Sequence, residues 1–222
     1  MIDFSMERAF EYENGFYLTS GTNRISKFVS HLDFYRMSLE VAGDIVECGV
    51  FKGNSLSRWI KFRDLLGGAY SKKIYAFDIF GKFPEAQFGN DIQKRESFVK
   101  EAGEYGLSKE KLLDTYEALG LNKNLSLIEG DILETIPNFC KTNPHVKISL
   151  LHIDVDLYEP TKCALEYFYP MVTNGGVIIF DDYGAFAGAN KAIDDYFANT
   201  QNNIIKKLPH SNAISYITKN DR

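Results

Sequence analysis

From residue 44 onward the chain alternates two hydrophobic rhythms. Short, almost continuously apolar runs at 44–50, 73–80, 125–129, 147–155 and 176–180 read as strands. Between them the apolar positions recur every three to four residues, which predicts helices at 54–66, 91–118 in two pieces, 132–141, 160–171 and 190–198. Pro160 suits the first turn of its helix, and Gly175-Gly176 suits the turn after it. Strands apolar on both sides and interleaved with helices predict a parallel sheet covered on both faces, an α/β architecture. The tail reads as two strands, 204–208 and 213–218, around Pro209-His210-Ser211-Asn212, so one strand at the sheet edge should be antiparallel. Ahead of the sheet, 1–21 reads as a loose aromatic arm, and a helix starts at Thr22 with an apolar stripe at Ile25, Phe28, Val29 and Leu32. The organisation expected is one domain, with an arm and helix over 1–42 and the main fold over 43–222. The N-terminal helix suits packing on its own sheet or the interface of a homo-oligomer.

Composition narrows the class. Of 222 residues 45% are hydrophobic and 25% charged, with a formal net charge of −5. That balance speaks against binding nucleic acid through its phosphates, while leaving room for a local basic pocket. Cys48, Cys140 and Cys163 are odd in number and form no CxxC, so a reducing compartment is expected. The first fifteen residues are acidic and polar rather than a signal peptide, and no apolar run approaches the ~20 residues of a membrane span. A cytoplasmic protein with no membrane partner is the expectation.

In open α/β sheets ligands bind beyond the carboxyl ends of the strands, and chemistry-bearing residues gather there. The first strand ends in Glu47-Cys-Gly49-Val-Phe-Lys-Gly53-Asn-Ser55. Its glycines permit a tight turn and close ligand approach, Glu47 suits an ammonium group, and Ser55 suits a carboxylate. Asp78 ends the second strand, placed either to grip the vicinal hydroxyls of a ribose or to lie solvated in a loop. Gly130-Asp131 follows the third, where Asp131 either caps a helix or meets an exocyclic amine. The fourth and fifth strands end in Asp154-Val-Asp156 and Asp181-Asp182. Carboxylates that crowded need a divalent cation, or protonation of one of them; oxygen donors suit Mg²⁺, with Mn²⁺ or Ca²⁺ as alternatives. His152 shares a strand face with Asp154 and either reaches the site or sits satisfied within the sheet. The segment Gly81–Asp91, rich in Gly, Pro and Phe, should lie over the ligand edge as a lid-like loop.

The strings Glu-Cys-Gly-Val-x-x-Gly-x-Ser (47–55), Phe-Asp-Ile-Phe (77–80), Gly-Asp-Ile (130–132), His-Ile-Asp-Val-Asp-Leu-Tyr-Glu-Pro-Thr (152–161) and Gly-Gly-Val-Ile-Ile-Phe-Asp-Asp-Tyr (175–183) together resemble the macrocin O-methyltransferase family. The resemblance spans roughly 40–200. It departs at Phe51, where many methyltransferases have glycine. It implies a class I methyltransferase (Rossmann-like) fold, a seven-stranded mostly parallel sheet whose last strand is antiparallel. It also implies methyl transfer from S-adenosylmethionine to a sugar hydroxyl on a nucleotide-linked sugar, glycan or glycoside. A cofactor side would fall on Glu47, Gly49, Val50, Ser55, Asp78, Ile79, Gly130, Asp131 and Ile132. A Mg²⁺ (or Mn²⁺) site would fall on Asp154, Asp181 and Asp182. Asp154 is the expected base, with His152 as the spare candidate. Three other readings stand beside it: a catechol-type methyltransferase with the same metal, a nicotinamide-dependent oxidoreductase, and a non-catalytic cofactor-binding subunit. The oxidoreductase leaves the strand-end aspartates without a purpose, and a silent subunit has no need of costly clustered charge.

Overall fold

The computed structural model describes residues 5–86, 89–198 and 204–220. Five strands run parallel: β1 (Asp44–Cys48), β2 (Ile74–Asp78), β3 (Leu125–Glu129), β4 (Ile148–Ile153) and β5 (Val172–Phe180). A short β6 (Lys206–Lys207) and β7 (Ser215–Thr218) complete the sheet, with β7 antiparallel to both β5 and β6. The seven strands lie in the order β3-β2-β1-β4-β5-β7-β6. The chain therefore builds outward from β1 to β3, then returns to β4 on the other side of β1. That reversal opens a crevice above the β1 and β4 tips.

Eight helices, α1 (Ala9–Thr19), α2 (Thr22–Ser38), α3 (Asn54–Leu66), α4 (Gly89–Ala102), α5 (Lys109–Ala118), α6 (Ile132–Thr142), α7 (Tyr158–Phe168) and α8 (Ala187–Phe197), are found among the described residues. Alternate strand residues face opposite layers, so each strand feeds two cores. On one side Val46, Phe77, Leu151 and Ile178 pack under α6, α7 and α8 through Phe139, Phe168 and Phe197. On the other, Ile45, Ala76, Leu150 and Ile179 pack under α2, α3 and α5 through Phe34, Trp59 and Leu112. No helix among the described residues is long and apolar enough to cross a membrane.

Several expectations shift. Over its described part the aromatic arm is helical, as a 3₁₀ turn at Met6–Arg8 followed by α1, although none of its residues is buried. The stripe Ile25, Phe28, Val29 and Leu32 is not the packed face of α2: Phe28 and Val29 are exposed, and the buried residues are Ser30, His31, Phe34, Tyr35 and Ser38. Apolar periodicity missed this face because its middle is polar where it meets the sheet. Gly175-Gly176 belong to β5 itself, at a register slip against β4 where a Cβ on Gly176 would lie 2.6 Å from Val172 Cγ1. The tail strands shrink to two and four residues. The lid segment loses Gly89–Asp91 to α4, and its residues 87–88 lie outside the described residues.

Candidate functional site

The β1 tip turns sharply into α3. Gly49 takes φ +90°, and a Cβ there would fall 1.7 Å from the Asp154 carbonyl oxygen, so only glycine lets the β1 and β4 tips approach this closely. Phe51, where many methyltransferases have glycine, takes φ +50°. That left-handed conformation costs a side-chain-bearing residue about 1–2 kcal/mol. The turn is held by Asp78: its Oδ2 accepts from Val50 N at 2.6 Å and Phe51 N at 3.0 Å, and its Oδ1 from Phe80 N at 2.6 Å. Gly53, at φ +76°, then opens α3, whose first turn brings Asn54 and Ser55 to the cavity wall. Asp131 is the N-cap of α6, accepting from Leu133 N at 2.9 Å.

A cavity of about 660 Å³ sits over these tips. Gly49, Val50, Ser55, Asp78 and Ile79 line one part, and Gly130, Asp131 and Ile132 adjoin them. Asp154, Asp156, Asp181 and Asp182 line the rest. The lid contributes Phe83 and Pro84, whose carbonyls accept from the buried Arg95 of α4 at 3.0 and 2.6 Å. Two predicted residues lie beneath the cavity wall. Glu47 and His152 are neighbours in the β1–β4 register and completely buried, with Glu47 Oε1 3.2 Å from His152 Nδ1. Burial works against a charged His152, but hydrogen bonding to Asp181 and Glu47 prevails and raises it to about 9. Direct contact of Glu47 with a cofactor ammonium, and of His152 with an acceptor, is therefore not what the geometry offers; the two brace the floor.

The acids divide differently from the predicted ligand set. Asp154, Asp156 and Asp182 each bring a carboxylate oxygen within 4.8 Å of the other two. Asp182 Oδ2 also accepts from Asp156 N at 2.8 Å, which fixes Asp156 at φ +58°. Asp181 is turned the other way, its Oδ2 2.7 Å from Lys27 Nζ and its Oδ1 3.8 Å from His152 Nε2. Strand alternation is the reason, since consecutive residues at the end of β5 leave on opposite faces. Burial, followed by the charge of Asp181, lifts Asp154 to about 6. Burial and then Asp154 lift Asp156 to about 7, and burial and then Asp156 push Asp182 well up. Asp181 is also buried, yet Lys27 and His152 hold it well below the usual carboxylate range. Three hard oxygen donors that resist ionising together fit a Mg²⁺ or Mn²⁺ ion, which would replace their protons.

Sequence reasoning missed Lys27 and His31, and it counted Asp156 among the crowded acids without including it in the ligand set. His31 is fully buried, stacked on Trp59 (ring centroids 4.6 Å apart, 19° between planes) and edge-on to His152 at 5.2 Å. Burial, then the neighbouring His152, holds it well below the ordinary histidine value. Lys27 and His31 are four residues apart on α2, so the missing signal was a polar spacing along one helix face.

Known proteins are similar to this chain in sequence and in fold. A protein of Streptomyces olivaceus, 8-demethyl-8-(2,3-dimethoxy-alpha-L-rhamnosyl)-tetracenomycin-C 4'-O-methyltransferase, is 30% identical over 158 residues, 70% of this chain and 58% of that protein. Demethyldecarbamoylnovobiocin O-methyltransferase of Streptomyces niveus is 27% identical over 162 residues, 71% of this chain and 59% of its own. The chain thus spans about three fifths of the length of the curated relatives it matches. Among solved structures, CalS11, a calicheamicin methyltransferase, superposes with a TM-score of 0.77 at 27% identity, covering 98% of this chain and 88% of that one. Its apo form, described as TDP-rhamnose 3'-O-methyltransferase, gives 0.71 at 28%, covering 98% and 89%. The model of the TylF family, macrocin-O-methyltransferase, matches residues 15–214, and the chain belongs to that family.

Proposed function

We propose that this chain is an S-adenosylmethionine-dependent, divalent-cation-dependent O-methyltransferase acting on a hydroxyl of a rhamnose-like sugar, nucleotide-linked or attached to a larger scaffold. The observation that carries the reading is a single cavity with a glycine turn and helix start on one wall and a carboxylate cluster on the other. The first turn of α3 presents N–H groups suited to the carboxylate of an amino-acid-like cofactor. Asp78 holds the turn that shapes this wall through three accepted backbone N–H bonds, which leaves about one of its four acceptor sites for a ribose hydroxyl. Asp131, at the α6 N-cap, has one oxygen left to meet a base amine. Asp154, Asp156 and Asp182 would hold the divalent cation, which when bound stabilises charge developing on the acceptor oxygen.

Methyl transfer forms one C–O bond as one C–S bond breaks, so the acceptor hydroxyl must also lose a proton. Asp154 is the base, because it lines the cavity beside the carboxylates that would hold the cation, and a cation that replaces its proton leaves it free to take the hydroxyl's. His152, sealed under the floor with Glu47, positions Asp181 instead. Closure by the Phe83–Pro84 lid would exclude water from the sulfonium.

Labelled S-adenosylmethionine offered with a nucleotide-linked rhamnose, a rhamnosyl glycoside and a catechol, each with and without EDTA, tests this reading. Label should enter a sugar acceptor, disappear in EDTA and return with Mg²⁺ or Mn²⁺. Asp182→Asn and Asp154→Asn should abolish turnover while cofactor affinity stays within about threefold. Full turnover by either variant, or by the metal-stripped protein, would overturn the proposal.

A further inference from the structure

Lys27 reaches the acidic cluster from α2, as does His31, which brings a ring nitrogen within 4.8 Å of an Asp181 oxygen. Lys27 Nζ lies 2.7 Å from Asp181 Oδ2 and 3.9 Å from Asp154 Oδ2, in the wall of the same cavity. Lys27 thus holds Asp181 on the side away from Asp154, Asp156 and Asp182, where strand alternation already directs it. The other Asp181 oxygen, Oδ1, is buried and faces His152 Nε2 at 3.8 Å. A fixed ammonium thus neutralises a carboxylate at the rim of a site whose remaining carboxylates suit a dication. The two cations want the same oxygens, and they repel each other at this range.

We propose that Lys27 is a built-in competitor for the divalent cation: it pairs with Asp181 in the metal-free protein and must release it before Asp181 can join Asp154 and Asp182 as a ligand. The proposal rests on the metal-dependent reading above. Lysine suits the task, being a compact charge on a flexible four-carbon stem that can swing without moving its helix. The arrangement spares the metal-free fold an unpaired carboxylate and lowers affinity for the metal below what the acids alone would give. Lys27 is in this sense a positioning residue, acting through Asp181.

The test is Mn²⁺ binding by calorimetry to the full EDTA-stripped chain, with melting temperature as a second readout. Lys27→Met and Lys27→Gln remove the charge, Lys27→Arg retains it, and Asp182→Asn marks the site. The charge-removing variants should bind Mn²⁺ roughly tenfold tighter or more, the effect of one partly screened unit charge at close range. They should also melt below wild type in EDTA and gain more from Mn²⁺, whereas Lys27→Arg tracks wild type. Having two neutral variants keeps the test alive if one fails to fold. Equal or weaker Mn²⁺ binding by the neutral variants, with wild type binding and Asp182→Asn not, would overturn the competition while leaving the metal site standing. Absence of binding in wild type and neutral variants alike would overturn both.

Discussion

Asp78 separates two roles that the sequence presents as one. A carboxylate that only grips ribose should matter to the cofactor and not to the fold. In the structure the same carboxylate accepts three backbone N–H bonds, two of them from the turn that carries Phe51 in a left-handed conformation. Each bond to a charged acceptor is worth about 1.5–3 kcal/mol when sheltered. Asp78 is only half-buried and water can replace part of the loss, so about 1 kcal/mol per bond is the fairer figure. Asp78→Ala should therefore lose about 2–4 kcal/mol of stability in urea denaturation, with no cofactor present. Asp78→Asn keeps one accepting oxygen but turns an amide toward the donors, and should lose about half as much. Both should weaken S-adenosylmethionine binding in calorimetry, since the turn they loosen forms the cavity wall. If Asp78→Ala unfolds at the wild-type urea concentration while cofactor affinity collapses, the buttressing role is wrong and the carboxylate serves the ligand alone.

Asp91, almost wholly buried in the first turn of α4, accepts from Ala187 N and Gly188 N at 2.8 Å each and so caps α8, whose own N-cap residue makes no side-chain bond. Asp91→Ala should cost about 2–4 kcal/mol in urea denaturation, and a change under about 0.5 kcal/mol would contradict the capping. Gly49→Ala places a Cβ 1.7 Å from the Asp154 carbonyl oxygen at φ +90°, so its melting temperature should fall by about 10 °C or more; a shift within about 2 °C would show that the strand tips can part at little cost. Without metal, Asp154 and Asp156 keep their protons to about 6 and about 7. Carboxyls raised in the fold contribute stability that is full below their unfolded value near pH ~4 and is lost as pH rises through the folded values. Melting temperature in EDTA should accordingly decline between about pH 5 and 8 and flatten in Mg²⁺, whereas a metal-free profile that climbs across that window would refute the clustering.

Strands and helices of the main fold were legible because the sheet is buried on both faces, so its strands stand out as unbroken apolar runs. β3 and α3 match their predicted bounds, and the strand-end acids all reach one cavity. Orientation was less legible. That Asp181 would turn from Asp182 follows from two-residue alternation, so of the predicted set Asp154, Asp181 and Asp182 the metal-free fold gathers only Asp154 and Asp182, with Asp156 beside them. α2 was harder. Its packed face runs through Lys27, His31, Phe34 and Tyr35, and a charge and an imidazole in that row hide it from any search for apolar period. Glu47 has the position of a ligand-binding residue in the motif, yet its side chain follows the strand pleat downward to His152. Strand tips reveal themselves in one dimension, whereas the direction in which each side chain leaves requires the packed neighbour.

The left-right divergence of Asp181 and Asp182 makes the peptide unit between them, just past β5, a splice between the two helical layers. One acid is tethered to the layer built on α2, and the next holds the loop that leads into α7. A displacement of the N-terminal layer is thereby transmitted through a single rigid amide to the opposite side of the molecule. A graft that exchanges α2 alone, and with it Lys27, should therefore misalign chemistry it never touches.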